Sequence, residues 1–147
     1  MLKVFGLLLL MTVSTGVGIY FSKMLIKRKK RLGEMLLFVT SAAEWIRSGT
    51  EVGEIISKEG AKAGVFEDEI GIKTDFDGFA KRDTEIIRDF FSAFGMGDTE
   101  SQVKRCKTYA GLLELQLAEA ERQVKQKSGL YGKMGFLAGL FAVIILI

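Results

Sequence analysis

The sequence predicts an all-α protein, an antiparallel helix bundle that is anchored in a membrane by a transmembrane helix at each end. Three observations lead to this prediction. The 147-residue chain begins and ends with uncharged apolar stretches, it contains no proline, and apolar residues between the stretches recur at helical spacing. We therefore expect an N-terminal transmembrane helix over residues 1–22, a cytoplasmic helical domain over residues 23–133, and a C-terminal transmembrane helix over residues 134–147.

The first apolar stretch, Val4 to Ser22, is nineteen residues without a charge, close to the roughly 20 that a helix needs to cross a bilayer. Six of the nine residues from Lys23 to Arg31 are basic. A cleaved signal peptide would carry its basic residues before the apolar stretch, so their position after it favours a membrane helix whose basic end is cytoplasmic. This basic collar is expected to set topology and to attract anionic lipid; it comprises Lys27, Arg28, Lys29, Lys30 and Arg31.

The second apolar stretch, Met134 to Ile147, has fourteen uncharged residues. At about 1.5 Å per residue it makes only about 21 Å of helix, which is short for a crossing. Because Lys133 can snorkel and a bilayer can thin locally, we favour a second crossing over a re-entrant or interfacial tail. The lysines before the tail again place the domain in the cytoplasm. Small residues are expected to let the two helices approach closely: Ser14, Gly16, Gly18, Gly135 and Gly139.

Glycines separate the helices that are predicted for the middle of the chain. A helix over Glu34 to Ser48 ends at Gly49, which is typical of a glycine C-terminal cap. Thr50 is expected to N-cap a second helix from Glu51 to about Lys62. The segment from Gly64 to Gly78 has the weakest pattern, and we predict one short helix and a loop there.

Two further helices follow. One runs from Asp83 to Met96 with a broad apolar face, and Asp83 or Thr84 is its expected cap. Thr99 and Gln102 form a capping box that opens a long helix, which can continue into the apolar tail. Along it runs an a/d seam of three heptads, which packs either against the preceding helix or against another copy of the chain; the seam consists of Val103, Cys106, Ala110, Leu113, Leu117, Ala120 and Val124.

The composition argues against enzymatic chemistry. The chain has no histidine and one cysteine, which excludes the familiar catalytic triads and zinc sites. A phosphate-loop motif is missing, and the acidic clusters are interpreted as solvated loops. Residues 34–122 carry 18 acidic and 11 basic side chains, a net charge of −7, so the domain is not expected to bind nucleic acid. We predict a protein that is not an enzyme and has no cofactor and no metal site.

Partner-binding residues are expected at the turns and on the seam. Trp45 is predicted to be half exposed, where it either fills the core or anchors a partner. The candidates lie in the hairpin between the first two predicted helices of the domain, in the turn before the long helix and on the seam: Glu44, Trp45, Gly49, Glu51, Gly95, Gly97, Asp98, Gln102, Leu113 and Leu117.

Four segments carry a family resemblance: KRKKRLGEM, AAEWIRSGTEVGEIISKEG, DFFSAFGMGDTESQVKRCK and GLYGKMGFLAGLFAVIILI. With the two terminal stretches, they make the chain similar to the stage III sporulation protein AB family of endospore-forming bacteria. The second and third segments are the most specific. The chain departs from the family where Asp98 and Thr99 follow Gly97, since the family commonly has a Gly-x-Ser-Asp type of turn at this place.

The resemblance implies a subunit of the channel complex that joins the mother cell to the forespore, held in the outer forespore membrane with its domain facing the mother-cell cytoplasm. The family's soluble region is similar to the cytoplasmic domains of the platform protein of type II secretion and type IV pilus machines. That analogy implies a non-enzymatic scaffold that docks a cytoplasmic secretion-type ATPase and contacts other subunits. A homo-oligomer is expected for a different reason, because so small a domain is only marginally stable alone. The alternative is a membrane-bound adaptor or regulatory protein that binds a soluble partner outside any secretion machine.

Overall fold

The protein is mostly helical, as predicted. The structure, a computed structural model, describes residues 2–69 and 71–146. Met1 and Ile147, which belong to the predicted spans, and Ile70 in the weakly patterned segment lie outside the described residues. The elements in chain order are α1 (Leu2–Arg47), α2 (Val52–Ile55), a π-helical turn (Ile56–Gly60), α3 (Ala61–Ala63), β1 (Val65–Asp68), β2 (Gly71–Thr74), α4 (Lys81–Ser92), α5 (Thr99–Gln123), a second π-helical turn (Val124–Ser128) and α6 (Gly129–Leu146).

The chain divides into two compact units. One contains the chain up to Lys27 and from Ala120 onward, and the other runs from Arg28 to Glu119. Helix α1 contributes to both, because the predicted first span and the first helix of the bundle form one continuous helix. Helix α5 likewise continues through a π-helical turn into α6, as the sequence indicated.

In the first unit, the two terminal helices meet through small residues. The Ser14 hydroxyl donates a hydrogen bond to the Gly135 carbonyl at 2.9 Å. A Cβ at Gly135 would lie 3.0 Å from the Ser14 carbonyl oxygen, so any side chain there would push the helices apart. The Phe21 and Tyr131 rings lie 5.9 Å apart. The predicted close approach is therefore confirmed at Ser14 and Gly135, whereas Gly16 is exposed.

Large apolar side chains of this unit are exposed to its surroundings. The most exposed include Phe5 at 72%, Phe141 at 66% and Ile144 at 64%. Judged by length and mean hydropathy, none of the helices in the described parts of the chain is long and apolar enough to cross a membrane.

The core of the second unit begins on α1, where every third or fourth side chain is buried. The predicted apolar face is confirmed at Met35, Val39, Ala42, Ala43 and Ile46, each of which is at most 5% exposed. This spacing places the buried side chains on one stripe of the helix.

An aromatic cluster joins α1, α4 and α5. The ring of Phe38 lies 5.9 Å from that of Phe91, and the ring of Phe90 lies 5.6 Å from that of Tyr109. Because Arg28 of α1 also meets Asp83 of α4, the two helices run in the same direction. The expected antiparallel bundle is thus corrected: α5 is antiparallel to α4, but α1 and α4 are parallel.

The chain returns between α1 and α4 through the weakly patterned segment, which is a β-hairpin and not the predicted short helix and loop. Strands β1 and β2 are antiparallel, with Val65 opposite Thr74 and Asp68 opposite Gly71. A Cβ at Gly60 would lie 2.5 Å from the Val65 carbonyl oxygen, so only glycine allows the hairpin to pack this closely on the π-helical turn.

The three predicted N-caps are wrong, because other residues occupy the cap positions. Glu51, not Thr50, precedes α2, and its side chain makes no capping hydrogen bond. Helix α4 begins at Lys81, so Asp83 lies in its first turn and accepts the Ala80 N–H at 2.9 Å. Thr84 is likewise inside α4. The cap of α5 is Asp98, one residue before Thr99, as its carboxylate accepts the Ser101 N–H at 3.4 Å.

Candidate functional site

Two turns lie in contact at one end of the second unit. The parallel course of α1 and α4 places their C-terminal turns at the same end. A Cβ at Gly95 would lie 3.2 Å from Cγ2 of Val52, so the turns touch each other. We call this end the turn surface (residues 48–52 and 93–98). It brings together five sequence-predicted candidates: Gly49, Glu51, Gly95, Gly97 and Asp98.

The first turn is held by a glycine cap, as predicted. Gly49 has a φ of 84°, in the left-handed region that glycine adopts without strain. The Gly49 N–H donates to the Ile46 carbonyl at 3.0 Å, and the Thr50 N–H donates to the Trp45 carbonyl at 3.0 Å. These two bonds are those of a Schellman motif, which gives the turn a defined geometry and satisfies the last carbonyls of α1.

The second turn projects an apolar side chain between two glycines. Gly95 and Gly97 have φ values of 85° and 92°, and Met96 between them is 64% exposed. The Arg105 guanidinium, from α5, donates to the carbonyl oxygens of Ala93 and Met96. Arg105 therefore holds the main chain of the turn in place, while the Met96 side chain is exposed.

The start of α5 carries two more of the candidates. Asp98 is exposed and caps the helix, and its hydrogen bonds with Ser101 lower the pKa of the carboxyl. The Gln102 side-chain amide donates to the Gly97 carbonyl at 3.1 Å. Glutamine thus closes the turn, although not in the capping box predicted with Thr99. The charged residues of the turn surface, Glu51 and Asp98, are both exposed carboxylates.

Trp45 lies on α1 beside the first turn and is half-buried, as the sequence predicted. The Lys58 ammonium lies 5.0 Å from the centroid of its ring, and Lys58 also pairs with Glu54 at 2.6 Å. Glu44 is exposed and pairs with Arg47 at 3.0 Å. The tryptophan is therefore held in place with part of its surface open.

The predicted seam packs within the chain along one line of α5. Cys106, Leu113 and Ala120, which are seven residues apart, are each 1% exposed. Leu117 is half-buried. Leu113 thus belongs to the core of the second unit and is not on its surface. This favours the hairpin interpretation of the seam over packing against another copy.

Two residues of the basic collar, Arg28 and Arg31, make contacts within the second unit. Arg28 forms a two-pronged ion pair with Asp83, in which Nε donates to Oδ2 at 2.7 Å and Nη2 donates to Oδ1 at 2.9 Å. The Asp83 side chain is fully buried and that of Arg28 is 14% exposed. Hydrogen bonding to Asp83 raises the pKa of Arg28. Nη2 also lies 3.4 Å from the Gln116 amide oxygen, so Arg28 joins α1, α4 and α5.

Arg31 holds the β-hairpin against α1. Its guanidinium donates to the Asp75 carbonyl at 2.7 Å and to the Asp77 carbonyl at 3.4 Å, and it lies 5.2 Å from the centroid of the Phe79 ring. A Cβ at Gly64 would come within 2.6 Å of the guanidinium. Of the other collar residues, Lys30 pairs with Glu34 at 3.8 Å, and Lys27 and Lys29 also make contacts.

The side chains that could do chemistry are few. The Cys106 thiol is buried, and desolvation raises its pKa to about 11, which keeps it protonated and unreactive at neutral pH. In residues 2–69 and 71–146, no three histidine, cysteine, aspartate or glutamate side chains are grouped to hold a metal ion.

Sequence reasoning missed the structural roles of Arg28, Arg31 and Asp83. A basic run after an apolar stretch is normally a topology signal, and nothing local marks which of its members turn inward. An indirect signal exists in the spacing: Arg28 and Arg31 are three residues apart, on the face of α1 that also carries Leu32 and Met35.

A family model described as stage III sporulation protein AB matches residues 54–147. The match begins within α2 and includes the β-hairpin, α4, the second turn, α5 and α6. Comparison with curated proteins and with solved structures returned no match.

Proposed function

Because the chain belongs to the stage III sporulation protein AB family, which implies a role in sporulation, we propose that it is a membrane scaffold of the mother cell–forespore channel complex. In this proposal the protein is not an enzyme. It docks a cytoplasmic secretion-type ATPase with its turn surface, and its domain faces the mother-cell cytoplasm from the outer forespore membrane. The analogy with secretion platform proteins supports the role, and the geometry below supports the location of the docking surface.

Insertion of the terminal helices into the membrane is supported by their exposed side chains. In water, apolar surface as extensive as that of Phe5, Phe141 and Ile144 is unfavourable, whereas it is solvated by lipid. Lysines and arginines follow the uncharged stretch from Val4 to Ser22. Their position favours an orientation in which the end of the helix that carries them is cytoplasmic. The close contact of Ser14 with Gly135 is the kind of packing that joins helices in lipid.

The contact between the two turns is the observation that carries the docking proposal. It creates one continuous surface from parts of the chain that are more than forty residues apart in sequence. The surface carries the exposed Met96 side chain and the exposed carboxylates of Glu51 and Asp98. A partner with an apolar pocket and basic residues around it would complement this surface.

Photocrosslinking in sporulating cells tests the docking surface. A photoreactive residue is placed at Trp45, next to the turn surface, or at Asp98, within it, and the control position is Lys81, which is exposed at the opposite end of α4. We expect the sporulation ATPase to be captured from the first two positions and not from the control. Equal capture from all three, or capture of the ATPase from Lys81 alone, would contradict the proposal.

Charge reversal provides a second test of the same surface. Glu51→Lys is expected to weaken capture of the ATPase and to reduce sporulation. The matched control is Glu85→Lys, which reverses an exposed charge on α4, outside the turn surface. Similar losses from both variants would show that the effect is not specific to the turn surface.

Topology is tested by thiol labelling. A cysteine introduced by Glu85→Cys is expected to react with a membrane-impermeant maleimide only after the mother-cell membrane is opened, while the buried Cys106 contributes little background. If Glu85→Cys stays unlabelled after the mother-cell membrane is opened while the forespore membranes remain closed, the domain lies on the other side and the proposed location is refuted.

A further inference from the structure

The outer edge of strand β2 is open. In an antiparallel pair, main-chain groups alternate between facing the neighbouring strand and facing away. The Asp75 N–H donates to the Gly64 carbonyl at 2.8 Å, and with the pairing of Asp68 and Gly71 this sets the alternation. Ile72 and Thr74 therefore direct their N–H and C=O groups away from β1. Among the described residues, the sheet has no third strand to receive them.

A groove of about 730 Å³ runs along this edge. All four residues of β2 line it, together with Arg88, Phe91 and Ser92 of α4. Phe94 and Met96 line it as well. The volume is within the range of natural ligand sites, and the walls offer unpaired main-chain groups and aromatic surface.

The charges of the groove have one sign. Among the lining residues that the structure describes, the charged ones are Lys73 and Arg88. Lys73 pairs with Asp68 at the exposed surface, where an ion pair is readily exchanged. The Arg88 guanidinium lies 5.7 Å from the centroid of the Phe76 ring. The groove is thus apolar along its walls and cationic, which complements a segment that carries carboxylates and apolar side chains.

We propose that the β2 edge accepts an extended, acidic segment of a partner protein as a third strand. The segment donates to and accepts from the main chain of Ile72 and Thr74, places alternate apolar side chains against Phe91, and directs carboxylates to Lys73 and Arg88. An extended segment fits this site because only a strand can satisfy a row of strand-edge groups at the observed spacing. The site borders the turn surface and shares Phe94 and Met96 with it. It goes beyond ATPase docking because pairing along β2 does not require Trp45, Glu51 or Asp98.

The test measures binding of a peptide to the full chain in nanodiscs of neutral lipid. The probe is a short fluorescent peptide of alternating glutamate and valine. One control peptide has the same sequence with N-methylated main-chain amides, and another carries lysine in place of glutamate. We expect saturable binding of the probe, a loss of binding on N-methylation, and a loss with lysine.

Matched variants at one position distinguish main-chain hydrogen bonding from nonspecific binding of the peptide. Thr74→Pro removes an outward N–H that β1 does not use, and proline is tolerated at strand edges. Thr74→Ala retains the N–H. Loss of one hydrogen bond is expected to weaken binding by about threefold to tenfold in Thr74→Pro, while Thr74→Ala stays near the original affinity.

Three results would overturn the inference. The first is equal binding of the N-methylated peptide, and the second is absence of saturable binding of the probe up to millimolar concentration. The third is a dimer, detected by light scattering of the nanodiscs, that Thr74→Pro disrupts and Thr74→Ala preserves, because a second copy would then occupy the edge. None of these results bears on crosslinking from Trp45 or Asp98, so the docking proposal stands or fails separately.

Discussion

Replacement of Asp83 by asparagine removes the negative charge from the ion pair that holds α1 against α4. The carboxylate accepts from the Nε and Nη2 atoms of Arg28 at 2.7 and 2.9 Å, and from the Ala80 N–H at 2.9 Å. Asparagine has nearly the same shape but only one acceptor oxygen. In Asp83→Asn the guanidinium therefore loses the charge of its buried partner, and at least one of its hydrogen bonds is lost.

The burial of the pair determines the size of the effect. The side chains of Asp83 and Arg28 are 0% and 14% exposed. Removal of one partner from a buried pair costs about 3–5 kcal/mol. Because some of the guanidinium reaches solvent, we expect the lower end, about 3 kcal/mol. This is a large part of the roughly 5–15 kcal/mol that stabilises a typical domain.

Urea titration of the full chain in neutral nanodiscs measures this change. Trp45 is the only tryptophan of the chain, and its half-buried ring lies in the second unit, so its emission reports the unfolding of that unit. A loss of about 3 kcal/mol corresponds to a midpoint lowered by about 1–3 M urea. Asp89→Asn is the control, because Asp89 is exposed on the same helix; it should change the free energy of unfolding by less than about 0.5 kcal/mol.

A double-mutant cycle decides whether the ion pair is the cause. Arg28→Met alone leaves the Asp83 carboxylate buried and unpaired, whereas Arg28→Met with Asp83→Asn removes both charges. We expect the double variant to be more stable than the sum of the single effects predicts. If Asp83→Asn behaves like the Asp89 control, or if the two single effects simply add, the reasoning is refuted.

Other substitutions and reactions test separate parts of the molecule. Gly95 has a φ of 85° and a close neighbour, so Gly95→Ala should lower the free energy of unfolding by about 1–2 kcal/mol in the same titration. Gly33 has open space around it in α1, so Gly33→Ala should raise the free energy of unfolding by about 0.5–1 kcal/mol. A stabilising effect of Gly95→Ala would contradict the turn geometry. Burial raises the pKa of Cys106 to about 11 from 9.0. At pH 8 the native protein should therefore hold about a hundredfold less thiolate than an exposed cysteine and react with maleimide correspondingly more slowly until urea unfolds it. Fast labelling of the native protein would contradict the burial of Cys106. Gly135→Leu should lower the thermal midpoint of helix loss measured by circular dichroism, because a Cβ at this position already lies 3.0 Å from a carbonyl oxygen of α1. Gly6→Leu should leave the midpoint unchanged, because a Cβ there has nothing within 4 Å. Equal midpoints for the two variants would argue against the helix contact.

Helices and the glycine turn of α1 could be predicted because their determinants are local. Buried residues on α1 and α5 recur at helical spacing, and Gly49 occupies the left-handed position that ends a helix. The N-caps were predicted less well, since several polar residues stand near each helix start. At α4, Asp83 lies in the first turn, where it pairs with Arg28, and Ala80 occupies the cap position.

The β-hairpin could not be predicted from its own residues. Its strands are four residues each, too short for alternation to be distinguished from a loop. Its support comes from elsewhere: Arg31 on α1 donates to carbonyls 44 and 46 residues away, and Gly60 permits close contact with Val65. The groove along β2 depends on the same distant contacts.

For the candidate site too, local features could be predicted from the sequence and long-range contacts could not. The sequence by itself determined that the protein is mostly helical, that glycines bound its turns, and that Trp45 is partly exposed, because propensity, capping and amphipathic spacing act within a few residues. Only the tertiary structure decided that α1 and α4 are parallel, that their end turns meet at Gly95, that Arg28 and Arg31 of the basic collar support the fold, and that Leu113 is internal. These features arise from contacts between segments far apart in sequence, whose free energy depends on burial and on the partners that packing brings together.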